Sequence, residues 1–196
     1  RPRLERAKER REDMFTTEGR GKALPVREWL DRYCFPDLFR DACLHCPDHN
    51  MTWACPPGVP TAEELLGDYR TVYLIGVKVC YDQEQRSAAL ASPKAADLVR
   101  SESYGVVKKA LLEVLLNLEQ MVPGSYTVAA GRCEQCEKCS RIIGRICRRP
   151  ERLRYSFSAF GFDLTALARE ELGLELLWAK AGLPEYNVAV SAFLTR

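Results

Sequence analysis

The chain has 196 residues, 46% of them hydrophobic, enough to bury a core and too apolar for a disordered or fibrous class. Its 29 Lys and Arg face 27 Asp and Glu, and a net charge of +2 marks neither a nucleic-acid binder nor a membrane-surface protein. No apolar run reaches the roughly 18 residues that span a bilayer, and the opening RPRLERAKERRED has no apolar leader core. A cytoplasmic protein with no nucleic-acid and no membrane partner is expected.

In chain order, residues 1–22 are rich in Arg, Lys and Glu and close with Gly19-Arg20-Gly21, which predicts a charged N-terminal helix or arm and then a break. A single α/β domain is expected over 23–196, beginning with a short helix around Val26 to Tyr33. Pro56-Pro57-Gly58 stops regular structure, and Thr61 with Glu64 three residues later has the form of a capping box. Thr71 to Tyr81 is β-branched and aromatic and reads as a central strand. Val106, Val107, Ala110, Leu111, Val114, Leu115 and Leu118 recur at helical spacing, predicting one helix from about Lys94 to Met121, closed by Pro123-Gly124. A strand from Tyr126 to Ala130 follows. Asp163 can cap a helix that Gly173 ends, and strands are expected at Leu174 to Ala179 and at Val188 to Leu194. This order predicts an α/β fold, a small sheet packed with helices that carries two cysteine-rich metal-binding loops.

Nine cysteines are more than a core of this size needs, and an odd number cannot pair off within one chain. Seven of them fall in two short runs, a distribution unlike a disulfide scaffold, and in a reducing compartment clustered thiols read as metal ligands.

The second run, Cys133-x2-Cys136-x2-Cys139-x7-Cys147 with Pro150 close behind, carries the strongest signal. A [4Fe-4S] cube needs a thiolate at each of four corners, and two successive two-residue gaps let one tight loop present three of them. Four-cysteine zinc sites usually come as two CxxC knuckles from separate turns, a template this spacing fits poorly. The first run, Cys43-x2-Cys46-x8-Cys55, followed by Pro56-Pro57, supplies three thiols. Its fourth position is an open iron or a ligand drawn from Cys34, Cys80, His45 or His49. Cys80, in a strand, reads more simply as a small buried hydrophobe, and Trp53 is expected to shield the metal from water.

Residues 132–154 hold eight Lys and Arg against three Glu. Part of this charge balances an anionic cluster. Arg148 and Arg149 are the candidate binding pair, forming a docking surface for an acidic redox partner protein or a seat for a small anionic substrate.

These residues carry a resemblance. The chain resembles a family of uncharacterised predicted metal-binding proteins, a domain of unknown function found mainly in anaerobic bacteria and archaea. The family pattern has a cysteine pair, a Tyr-Gly element and Cys-Pro-Pro, then Gly-x-Cys-x2-Cys-x2-Cys, a later Cys-Arg-x-Pro, and a Ser-x-x-Ala-x-Gly-x-Asp stretch. Here these read Cys43, Cys46, Cys55-Pro56-Pro57, Gly131-Arg132-Cys133, Cys136, Cys139, Cys147-Arg148-Arg149-Pro150 and Ser156 to Asp163. His49-Asn50 replaces the Tyr-Gly element, and Ser158 stands where an acidic residue is common. The resemblance implies metal binding in an anaerobic redox setting, with the seven clustered cysteines as ligands and no established reaction.

With no nucleotide loop or Ser-His-Asp set in the sequence, the leading expectation is a protein with two [4Fe-4S] clusters that relays electrons. The alternatives are a small iron-sulfur enzyme using an open iron on the Cys43/Cys46/Cys55 cluster for a reductive or sulfur-removing reaction, and a zinc-stabilised interaction module.

Overall fold

The structure is a computed structural model and describes residues 15–196. The apolar run at Thr71–Cys80 forms strand β2, with Val72, Leu74 and Val79 buried. It lies inside a four-stranded antiparallel sheet with β1 (Thr16–Pro25), β3 (Tyr126–Val128) and β4 (Tyr186–Thr195), in the order β1-β2-β4-β3. The register runs from Thr16 opposite Cys80 to Pro25 opposite Thr71, and from Thr71 opposite Thr195 to Cys80 opposite Tyr186. β3 pairs Tyr126 with Leu194.

Helices α1 (Val26–Tyr33), α2 (Pro36–Leu44), α3 (Ala62–Leu66), α4 (Gln83–Ala89), α5 (Pro93–Glu102), α6 (Tyr104–Met121), α7 (Phe157–Phe160) and α8 (Leu164–Leu172) complete the α/β fold. The expected capping box is present: the Thr61 hydroxyl accepts from the Glu64 N–H at 3.1 Å, and the Glu64 carboxylate accepts from the Thr61 N–H at 2.8 Å. Asp163 caps α8, and Gly173 ends it in a left-handed conformation.

Four expectations are corrected. Gly19-Arg20-Gly21 lies within β1 and marks no break, while residues 1–14 of the expected arm fall outside the described residues. β1 is an edge strand paired on one side only, so its exposed Arg20 and Lys22 cost nothing in burial and keep further strands from adding. Leu174 to Ala179 forms no strand. Its Leu174 is apolar because it covers the sheet, where its side chain crowds the face of Gly76. The helix expected over Lys94 to Met121 is two, α5 and α6, parted at Ser103, whose hydroxyl donates to the Val99 carbonyl at 2.6 Å. Strand β3 ends at Val128, and Ala129 continues only as an isolated bridge to Ser156.

One core cluster joins the sheet to α1, α7 and α8. Trp29 is fully buried, stacks on Phe162 at 4.4 Å and meets Phe157 edge-on at 6.0 Å. This core seats the start of α2: Phe35 N–H donates to the Gly161 carbonyl and Asp163 N–H to the Tyr33 carbonyl, both at 2.8 Å. Gly161 has φ +81°, and a Cβ there would lie 2.4 Å from Pro36 Cα, so only glycine lets the two segments cross. On the same layer Glu171 is buried and paired. It accepts from Tyr33 Oη at 2.5 Å, Arg32 at 2.8 Å and Lys22 at 3.1 Å, tying α1 and β1 to α8.

Candidate metal centre

The fold delivers the two cysteine runs to one place. Helix α2 carries Cys43 in its last turn, and the loop beyond it holds Cys46 and Cys55 before the chain turns through a cis Pro56–Pro57 bond. β3 leads through Ala129 and Ala130 into the second run, whose Cys139 opens a 3-10 turn at Ser140–Ile143.

Arg141 clasps one loop to the other. From the second run its guanidinium donates to Asn50 Oδ1, the Thr52 carbonyl and the Cys55 carbonyl, each at 2.9 Å, and to the Pro57 carbonyl at 2.5 Å. It also lies over the Trp53 ring, 4.8 Å from the centroid, while Trp53 Nε1–H donates back to the Arg145 carbonyl at 3.0 Å. Arg132 adds an ion pair to Asp48 at 2.8 Å. The bulk of Trp53 therefore belongs to the seam between the runs. A cleft of about 690 Å³ opens along this seam, lined by Cys133, Cys136 and Cys139 on one side and by Asp48, Met51 and Thr52 on the other.

Within each run the thiols feel one another. Burial pushes the Cys133 thiol up, and the nearby Cys147, Cys139 and Cys136 add to the shift against an opposing backbone hydrogen bond from Gln135. Burial likewise raises Cys55, with Asp48, Cys46 and Cys43 contributing, and raises Cys43, with Cys46 contributing. Among the described residues, no three Cys, His, Asp or Glu side chains are drawn into a formed ligand group for a single metal ion.

The four candidates for the fourth position of the first run differ in their surroundings. Cys34 donates to the Phe160 carbonyl at 3.4 Å, and its thiol is pushed up to about 11 by burial, with Glu63 adding to the shift. Cys80 ends β2 between Thr16 and Tyr186. His45 is exposed, with Nδ1 2.8 Å from the Asp41 carbonyl. His49 Nδ1 alone is buried without a hydrogen-bond partner, and its ring lines a pocket of about 190 Å³ with Cys43, Phe39 and Phe160. An orphaned imidazole nitrogen that shares a pocket with Cys43, and two runs of thiols that raise one another's pKa, are soft donors of the kind that suit a thiolate-bound metal.

Asn50 turns the chain within the first loop. Its φ is +58°, the left-handed conformation that glycine adopts without strain and that asparagine tolerates best among other residues. Asparagine thus keeps the turn while adding the amide oxygen that Arg141 grips.

Half of the basic segment is spent inside the protein. Besides Arg132 and Arg141, Arg152 pairs with Glu113 and Gln135, and Arg154 pairs with Glu119. Lys138, Arg145, Arg148 and Arg149 remain exposed, and among the described residues no ion pair engages them. The basic composition of the segment points to Arg148 and Arg149 but not to Arg141, because nothing in a sequence marks which guanidinium will meet four distant oxygens.

The fold and the site together define an α/β protein with two adjoining thiol-rich loops, a class whose donor set is suited to metal. The chain belongs to the DUF2284 family, described as predicted metal-binding protein, whose model matches residues 30–191. Neither a curated protein nor a solved structure matches it. Among the described residues no helix is long and apolar enough to cross a membrane.

Proposed function

We propose that the chain holds two [4Fe-4S] clusters, one on Cys133, Cys136, Cys139 and Cys147 and one on Cys43, Cys46 and Cys55, and relays electrons in a reducing, cytoplasmic setting. The observation that carries this reading is the Arg141 clasp, which joins the two runs as neighbours along one cleft. Such clusters supply one-electron chemistry; the chain supplies thiolates, a seam closed by Trp53, and cations that offset negative charge. The spacing CxxCxxC favours iron-sulfur over a zinc-stabilised module.

The pocket beside Cys43 favours a second reading, a small iron-sulfur enzyme acting on a small substrate at the first run in a reductive or sulfur-removing reaction. Its apolar walls and its unpartnered His49 nitrogen are features a relay does not need.

Anaerobic purification followed by iron, sulfide and zinc analysis tests the assignment. About eight irons and eight sulfides per chain are expected. About one zinc per run with negligible iron would overturn it in favour of the zinc module. A small exogenous thiolate that alters the spectrum of the reduced first cluster would select the enzyme, and indifference to it the relay.

A further inference from the structure

The loop between Cys139 and Cys147 is pinned from three sides. The Ser140 hydroxyl, on a residue 2% exposed, donates to the Ile146 carbonyl at 2.6 Å. The Arg145 N–H donates to the Ser140 carbonyl at 3.0 Å, and the Arg145 carbonyl accepts from Trp53 Nε1–H at 3.0 Å. Gly144, at φ +65°, makes the reversal.

This fixed loop turns its apolar side chains outward. Ile142, Ile143 and Ile146 are 52%, 60% and 85% exposed. Three isoleucines held in water by a loop with its own internal bonds are a presented surface, since the ordering cost of docking is already met by the fold. The same stretch of chain carries Lys138, Arg145, Arg148 and Arg149, exposed and without ion pairs among the described residues, whereas the neighbouring Arg132, Arg141, Arg152 and Arg154 are all engaged. Exposed apolar side chains and exposed cations on one ordered loop are the ingredients of a protein interface whose partner is acidic.

We infer that residues 138–149 form the docking face for an acidic electron-carrier protein, one that presents an apolar spot ringed by carboxylates, directly over the second cysteine run. This rests on the proposed redox reading for the partner's role and on the exposed residues for its chemistry. Charge complementarity selects the occupant: a protein of net charge +2 has concentrated on one loop exposed cations that no ion pair among the described residues engages. A second copy of the chain, an anionic membrane or a nucleic acid are the competing occupants.

The test is a binding titration of the anaerobically prepared chain with an acidic plant-type ferredoxin as probe and a basic cytochrome c as control. Binding to the ferredoxin alone is expected, weakening at least about tenfold between roughly 20 mM and 500 mM NaCl. Arg145→Gln/Arg149→Gln should weaken it about tenfold and flatten the salt dependence, while Ile143→Ser/Ile146→Ser should weaken it with the salt dependence kept. Iron and sulfide are measured on every sample. Full iron with no ferredoxin binding, or binding indifferent to salt and to both variants, overturns the docking face and leaves the cluster reading intact. Absent iron with salt-sensitive ferredoxin binding does the reverse. Concentration-dependent self-association, or capture by phosphatidylserine vesicles or duplex DNA that the Arg variant abolishes, in place of ferredoxin binding, also overturns the proposal.

Discussion

The two cysteine runs differ in what shapes them. The second is closed by its own bonds, Ser140 to Ile146 and Arg145 to Ser140, and lends Arg141 and Arg132 outward. The first receives: the carbonyls of Thr52, Cys55 and Pro57, the amide of Asn50 and the carboxylate of Asp48 are all met by arginines of the other loop. The first has backbone bonds of its own, among them Asn50 N–H to the Pro56 carbonyl at 2.7 Å and His49 N–H to the Cys46 carbonyl at 3.0 Å, so what the second run lends it is the arginine clasp. The second run supplies four thiols from its own segment, whereas the three-thiol first run is held against it by its neighbour's arginines.

The largest effect should come from breaking that asymmetry at its source. Cys136→Ala is expected to cost iron at both runs, because unfolding the second loop releases Arg141, while Cys46→Ala should cost only the first run's share, about half. Metal analysis of the two variants checks this, and equal losses would contradict it.

Gly161→Ala attacks the shared footing. Its Cβ would lie 2.4 Å from Pro36 Cα at a left-handed φ, so α2 cannot keep its seat and Cys43 moves with it. A loss of about 3 kcal/mol in denaturant unfolding is expected, with the first run's metal lost before the second's.

Arg141→Ala should cost about 2 kcal/mol and raise amide exchange in residues 45–58 more than in the loop it leaves. Arg141→Lys should not rescue it, since one ammonium cannot span oxygens from Asn50 to Pro57.

Much of this architecture could be read in advance where a residue's local pattern and its final environment agree. Thr71 to Tyr81 is apolar because it is central, and Thr61 with Glu64 caps a helix through neighbours only three residues apart. β1 was illegible because an edge strand needs no apolar alternation, and Leu174 to Ala179 misled because covering a sheet and forming a strand require the same side chains. The Asp82–Gln85 capping box of α4 is equally local and starts its helix in the same way. At the site, cysteine spacing marked the donors, since their loops are local. The clasp was hidden because Arg141 lies about 90 residues from the oxygens it meets, 91 from Asn50 and 84 from Pro57.

The smallest expected effect lies away from both runs and controls for them. Burial pushes the Glu171 carboxyl up, but Tyr33, Lys22 and Arg32 outweigh it and hold it below its ordinary 4.5. A folded value below the unfolded one gives stability that is present above about pH 4.5 and is lost as pH falls through the folded value. Thermal unfolding between neutral and acid pH should show this decline, and Glu171→Gln should flatten it while leaving the metal content unchanged.

The central claim, that the two runs make one two-centre site, is tested most directly by EPR of the fully reduced protein. Two clusters docked across the Arg141 seam should give a broadened, magnetically coupled spectrum that becomes a single simple signal in Cys46→Ala. A sum of two independent signals, in which the second run's signal keeps its shape when the first run is removed, would contradict it.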